Sequence, residues 1–291
     1  MALRFRFSLA RAWLILALSA LICTMPALAA PLIYPRPEAP EDPQLEYPVA
    51  LLKLALSKAG VRADIRPSGL VTPQGRALRL LANGQGIDVM WTMTSREREA
   101  ELMPICIPIY KGLMGYRIAL VRKAETELFA NVHAAADLRR FVAGQGHDWP
   151  DTDILRANSL KVQAAVSYGS LFQMLAAKRY DYFPRSVIEI WGEAERHKSA
   201  GIVVEPYVLI YYPTASYYFV SKKNPALASV IQRGLEAAIA DGSFDALFKA
   251  RYGQVIKQVQ AAKRRLIVLE NPDLPEGTPL HIPAYWYRFG K

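Results

Sequence analysis

Apolar residues recur along the chain at two spacings. Short continuous or alternating runs are interleaved with stretches at helical period, which predicts an α/β fold. Residues 32–34 read as a first strand, followed by a proline-rich loop over 35–43. Leu51, Leu52, Leu54, Ala55 and Leu56 mark a helix over 44–59 that Gly60 stops. Residues 61–66 are strand-like. Thr72 then caps a second helix, with Pro73 in its first turn and Leu78, Leu80 and Leu81 on it. Buried strands are expected over 87–93 and 115–122. Beyond the glycine pair Gly144 and Gly146, helices over 149–158, 169–178 and 187–195 alternate with strands over 161–166 and 180–183. Strands over 203–212 and 216–221 flank Pro213. Asn224-Pro225 opens a long helix with Leu227, Ile231, Leu235 and Ala238 on one face, and Asp241-Gly242 ends it. Ser243 begins a shorter helix bearing Phe244, Leu247, Phe248 and Tyr252. The tail from 266 is proline-rich, with 267–269 strand-like.

The first residues carry a different pattern. Arg4, Arg6 and Arg11 precede an apolar run from Trp13 to Ile22, too short to span a bilayer, and Ala27-Leu28-Ala29 offers small residues at a cleavage site. Residues 1–29 are therefore expected to be a cleaved signal peptide and the mature protein to be periplasmic. Removing them takes away three cations and lowers the formal charge from +10 to +7. The remaining basic pairs are scattered and are not interleaved with aromatics, so no nucleic-acid partner is expected. Cys23 leaves with the leader, which makes an intramolecular disulfide impossible for Cys106. Its neighbours Ile105 and Ile107 predict a buried, inert thiol.

No H-E-x-x-H, no Cys/His metal spacing, no G-x-S-x-G and no P-loop occurs. No catalytic residue, metal or cofactor is expected, and the protein is read as a non-enzyme.

Three segments carry a resemblance. Lys223-Asn224-Pro225-Ala226-Leu227 leads through Ala240-Asp241-Gly242-Ser243 to Tyr252-Gly253. Asp88 to Thr94 is followed by Ser95-Arg96-Glu97-Arg98, then Pro108 and Tyr110. Gln145-Gly146 follows a strand. In order and spacing they resemble the extracellular solute-binding proteins of family 3, the polar amino-acid binders of ABC importers. The resemblance implies a discontinuous, type 2 periplasmic-binding-protein fold. One lobe would be residues 30–117 plus 216–291 and the other 118–215, joined by hinge strands near Tyr116–Leu120 and Ser216–Val220. It also implies a monomer that closes on a small ligand and presents the closed form to an inner-membrane permease or receptor. A hydro-lyase on the same fold, and a member without a small ligand, are the alternatives. The tail beyond about 255 exceeds the usual family end.

Arg98 matches the family arginine that clamps a ligand carboxylate, with Arg96 as the register alternative. Thr92, Met93, Thr94 and Ser95 follow a strand end, where open α/β sheets place ligands, although ordinary loop polarity explains them equally. Trp91 is expected in the core. His147 and Asp148 fall in the family's Gly-Thr turn, and Asp148 is alternatively a helix cap. The family's ammonium-binding Asp is missing. Its stretch reads Phe183-Pro184-Arg185-Ser186, and an arginine there would repel an ammonium and attract an anion. Asp181, Asp148 and Glu189 are the alternative sources of negative charge. The expected ligand is thus carboxylate-bearing, either amino-acid-like or a dicarboxylate, held by Arg98, Thr92, Met93, Thr94, Ser95, His147, Asp148, Arg185 and Ser186.

Overall fold

A computed structural model describes residues 30–37 and 45–289. The expected leader, Cys23 and most of the proline-rich loop lie outside the described residues.

Strand β1 (Leu32–Arg36) pairs in parallel with β2 (Ile65–Val71). Between them lies helix α1 (Glu46–Lys58), which buries Tyr47, Leu51, Leu52, Ala55 and Leu56. β2 starts where the expected strand ends and runs through Pro67 and Gly69. A two-stranded sheet leaves β2 one unbonded edge, where a missing N–H costs little. Helix α2 (Gln74–Asn83) starts after Pro73, and the Thr72 hydroxyl donates to Leu70 O and caps nothing. Next come β3 (Val89–Met93), α3 (Arg96–Glu101) and β4 (Leu102–Ile105). β3 and β4 flank β11 (Ser216–Ser221), antiparallel on both sides. Helices α8 (Pro225–Ala240) and α9 (Ser243–Ala261) complete this half. α9 runs well past Tyr252, because Ile256 and Val259 extend its buried face.

The second half is built on β5 (Tyr116–Arg122), whose residues are all buried. It pairs antiparallel with β8 (Phe183–Ser186), β9 (Ile202–Val204) and β10 (Val208–Tyr211). Helix α4 (Ala135–Leu138) leads to β6 (Val142–Gly146), which pairs in parallel with β7 (Lys161–Ala165). Helices α5 (Pro150–Ala157), α6 (Tyr168–Ala176) and α7 (Ile190–Arg196) cover these sheets.

Two segments pass between the halves, 106–115 and 212–215, and they touch. Tyr212 N donates to Gly115 O, and a Cβ on Gly115 would lie 2.4 Å from Tyr212 O. Only glycine allows backbones so close.

The tail departs from the expected division. Strand β12 (Arg265–Val268) pairs in parallel with β10, and so joins the sheet of the second half instead of the first. Its buried Ile267, with Leu269, packs into that half's core beside Val208, Ile210 and Tyr212. Asn158 and Glu270 exchange two hydrogen bonds of 2.8 and 3.0 Å. The chain then returns to the crossing. Asn271 donates to Pro213 O, Tyr287 N to Lys111 O, and Phe289 stacks edge-on against Tyr116. The tail is a third connection between the halves.

Cys106 is exposed, contrary to its expected burial. The extended chain turns Ile105 and Ile107 inward and the residue between them outward. Partial burial, and then the charge of Glu99, push its thiol up to about 11. The thiolate is the nucleophile, so at pH 7.5 alkylation by iodoacetamide should run about a hundredfold slower than for an ordinary exposed thiol. A rate equal to free cysteine would contradict this environment.

Candidate ligand-binding cleft

A cavity of about 200 Å³ lies between the halves. At roughly 30 Å³ of liquid volume per water, it is sized for a small metabolite. Its first-half wall includes Gln74, Trp91, Thr92, Met93, Arg98 and Ser216. Its second-half wall includes Trp149, Asp151, Arg185 and Glu189, with Arg117 from the start of β5. Tyr110, Met114 and Tyr252 give it an apolar flank. Trp91, expected in the core, is half-buried against Tyr34 and faces this space.

Arg98 is placed by a short helix. The Ser95 hydroxyl accepts from Arg98 N at 3.2 Å and caps α3, so Ser95 serves the backbone. The guanidinium is buried. Nη1 donates to Thr92 Oγ1 (2.6 Å) and Met93 O (2.8 Å). Nη2 donates to Gln74 Oε1 (2.5 Å) and, across the cleft, to Asp148 O (2.9 Å). Burial pulls its pKa down to about 10, and the nearby charge of Asp148 partly offsets this. It stays charged at neutral pH, with neutral acceptors as its bonded partners. The Asp148 side chain does not cap α5; its Oδ2 accepts from Gly75 N at 2.9 Å and so bridges the cleft.

Arg185 overturns the expectation of an anion-attracting charge. Its Nε and Nη2 donate to the two carboxylate oxygens of Glu193, each at 2.8 Å, and Nη2 lies 3.1 Å from Glu189 Oε2. Glu193 is fully buried and also accepts from Tyr168 at 2.8 Å. The Arg185 guanidinium stands 5.0 Å from the rings of Trp149 and Phe183. Burial opposes its charge, but Glu189 and Glu193 outweigh this and hold its pKa well above the usual value. An ion pair this complete leaves little field for a ligand anion.

Arg117, which the sequence reading did not single out, is 1% exposed. Its Nη2 lies 2.7 Å from Asp151 Oδ1, and its Nη1 3.6 Å from Glu189 Oε2. Burial opposes its charge, while Asp151, Tyr212 and Glu189 more than compensate and raise its pKa. Glu189 is thus shared between two arginines. Burial nonetheless raises its own pKa, with Glu193 adding to the effect and Arg185 and Arg117 opposing it. The result is a buried chain of alternating charge: Asp151, Arg117, Glu189, Arg185, Glu193. A charged residue between Tyr116 and Ile118, inside the buried run of β5, is the available signal, because such a residue must meet a buried partner.

Of the predicted site residues, Thr92, Met93, Arg98 and Arg185 line this cavity. Ser95, His147 and Asp148 line, with Arg98, an adjoining crevice of about 340 Å³ that is also walled from both halves. Thr94 donates to Glu99 at 2.5 Å, and Ser186 to Leu113 O at 3.2 Å. Neither of these two is among the residues lining the cavity or the crevice. No group of three or more His, Cys, Asp or Glu arranged to hold a metal occurs among the described residues.

No family model and no curated protein matches the sequence. Solved structures match the fold. An ancestral arginine-binding protein bound to arginine aligns with TM-score 0.55 and 18% identity, over 71% of this chain and 88% of its own. The VFT2 domain of Bordetella pertussis BvgS, as a double mutant, aligns with TM-score 0.59 and 14% identity, over 84% and 99%. A histidine kinase sensor domain similar to periplasmic binding proteins aligns with TM-score 0.55 and 15% identity, over 77% and 96%. These likenesses establish the expected α/β, two-lobe periplasmic-binding-protein architecture.

Proposed function

We propose that this chain is an exported solute-binding protein that closes its lobes on a small polar, carboxylate-bearing ligand and presents the closed form to a membrane partner. The carrying observation is the small cavity walled from both halves, in which Arg98 is a buried cation hydrogen-bonded to neutral acceptors alone. A ligand carboxylate would replace Asp148 O on Nη2 and supply the missing counter-charge. With Arg185 neutralised by Glu193 and Glu189, an ammonium is no longer repelled there, so amino-acid-like ligands remain beside dicarboxylates.

In this reading the protein has a cleaved leader, works in the periplasm as a monomer and has an ABC importer as partner. Among the described residues, no helix is long and apolar enough to cross a membrane. A binding role is favoured over a hydro-lyase. Of the acid–base candidates, Glu189 is tied between two arginines and the Asp148 carboxylate accepts from Gly75 N. A sensing role is the second reading. The tail that anneals to one half and returns to the crossing would couple lobe closure to the end of the chain.

Calorimetric titration with L-glutamate, succinate and L-alanine tests this. One of them should bind at a single site, and Arg98→Ala should weaken it about a hundredfold, near the upper end for the loss of one charge-assisted hydrogen bond. Unchanged affinity in the variant would remove Arg98 from the site.

A further inference from the structure

The cavity floor holds polar groups that the protein itself does not satisfy. Arg117 Nε and Ser216 Oγ are both buried and have no hydrogen-bond partner. Arg117 Nη2 is already engaged by Asp151 Oδ1 at 2.7 Å, which leaves Nε and the Ser216 hydroxyl as the unmet groups. Both residues line the same cavity. They sit where the two crossing segments meet, Arg117 at the start of β5 and Ser216 at the start of β11. Arg98, by contrast, has both terminal nitrogens hydrogen-bonded. Buried polar groups without partners are rare and costly in folded proteins, so two on one cavity wall point to an occupant that bonds them.

The surrounding charges select that occupant. Asp151 and Glu189 already flank Arg117 at 2.7 and 3.6 Å. A ligand carboxylate placed there would meet two buried carboxylates, and an ammonium would meet the guanidinium. Like charges at such range are strongly disfavoured in a buried site. A neutral group with an acceptor oxygen and adjacent N–H donors meets neither penalty. Its oxygen takes Arg117 Nε and Ser216 Oγ, and its N–H groups face Glu189 or Asp151.

We infer that Arg117 and Ser216 form a ligand-anchoring floor for a neutral carboxamide-type head group. This rests on the solute-binding proposal, with the ligand's carboxylate at Arg98 and its carboxamide at the crossing.

The probes are L-glutamine, L-glutamate and succinate, titrated by calorimetry into the wild type, Ser216→Ala and Arg98→Ala. The expected result is that glutamine binds at least tenfold more tightly than glutamate or succinate. Ser216→Ala should lose about fivefold for glutamine, the effect of one neutral hydrogen bond. It should keep its urea midpoint, because its hydroxyl bonds nothing in the protein. Tighter binding of glutamate or succinate, or a Ser216→Ala variant that binds glutamine as the wild type does, overturns the anchoring floor. In that event an Arg98→Ala loss still supports solute binding. No binding of any probe to the wild type overturns both.

Discussion

Glu193→Ala is expected to destabilise the protein by about 3–5 kcal/mol in urea denaturation, the range for removing one partner of a buried ion pair. Glu193 is fully buried and holds Arg185 through two bonds of 2.8 Å. Without it, Arg185 keeps only the 3.1 Å contact with Glu189, which Arg117 also claims. The Tyr168 hydroxyl loses its acceptor as well. Glu193→Gln keeps the shape and one acceptor, and should cost clearly less. A loss below about 1 kcal/mol for the alanine variant would mean that Arg185 finds another partner, and the charge chain would have to be redrawn.

Gly234→Ala should also cost about 3 kcal/mol or more, at the upper end for overpacking. Alanine in a helix interior normally stabilises relative to glycine by about 1 kcal/mol, so the sign itself is diagnostic. Gly234 lies on the buried face of α8, where the helix crosses α1. A Cβ there would stand 1.8 Å from Ala55 O and 2.4 Å from Ala55 C. The obstacle is backbone, which cannot rotate aside, so the two helices must separate. A neutral or stabilising Gly234→Ala, measured by the same urea titration, would contradict this helix contact.

Local signals carried much of the fold. The helical stripe after Asn224-Pro225 appears as α8, with Asn224 capping it through Leu227 N. The strand at 87–93, followed by a serine and an arginine three residues on, places Arg98 in the cleft. Non-local pairings were not legible. Residues 267–269 read as strand-like, but nothing local says that β12 joins β10, some fifty residues earlier in the chain.

The site shows the same division. Arg185, a candidate from the sequence, lines the cavity, but its charge is met by two acids. Glu189 and Glu193 follow it at steps of four, a spacing that puts acids on the helix face turned back toward the strand. Arg117 was passed over because its neighbours Tyr116 and Ile118 mark an ordinary buried strand. Its role depends on Asp151 and Glu189, which lie thirty and more residues away in sequence. Ser216 carries no sequence signal at all; its significance is an unbonded hydroxyl on a cavity wall.

The most direct test of ligand capture between the halves is a crystal structure of the protein grown with saturating L-glutamine. The account predicts one molecule enclosed between Trp91 and Trp149, its carboxylate on Arg98 and its other end at the crossing. A cavity that stays empty in this crystal and in parallel crystals with L-glutamate and with succinate, or a ligand bound on the outer surface with Arg98 still donating to Asp148 O, would contradict it.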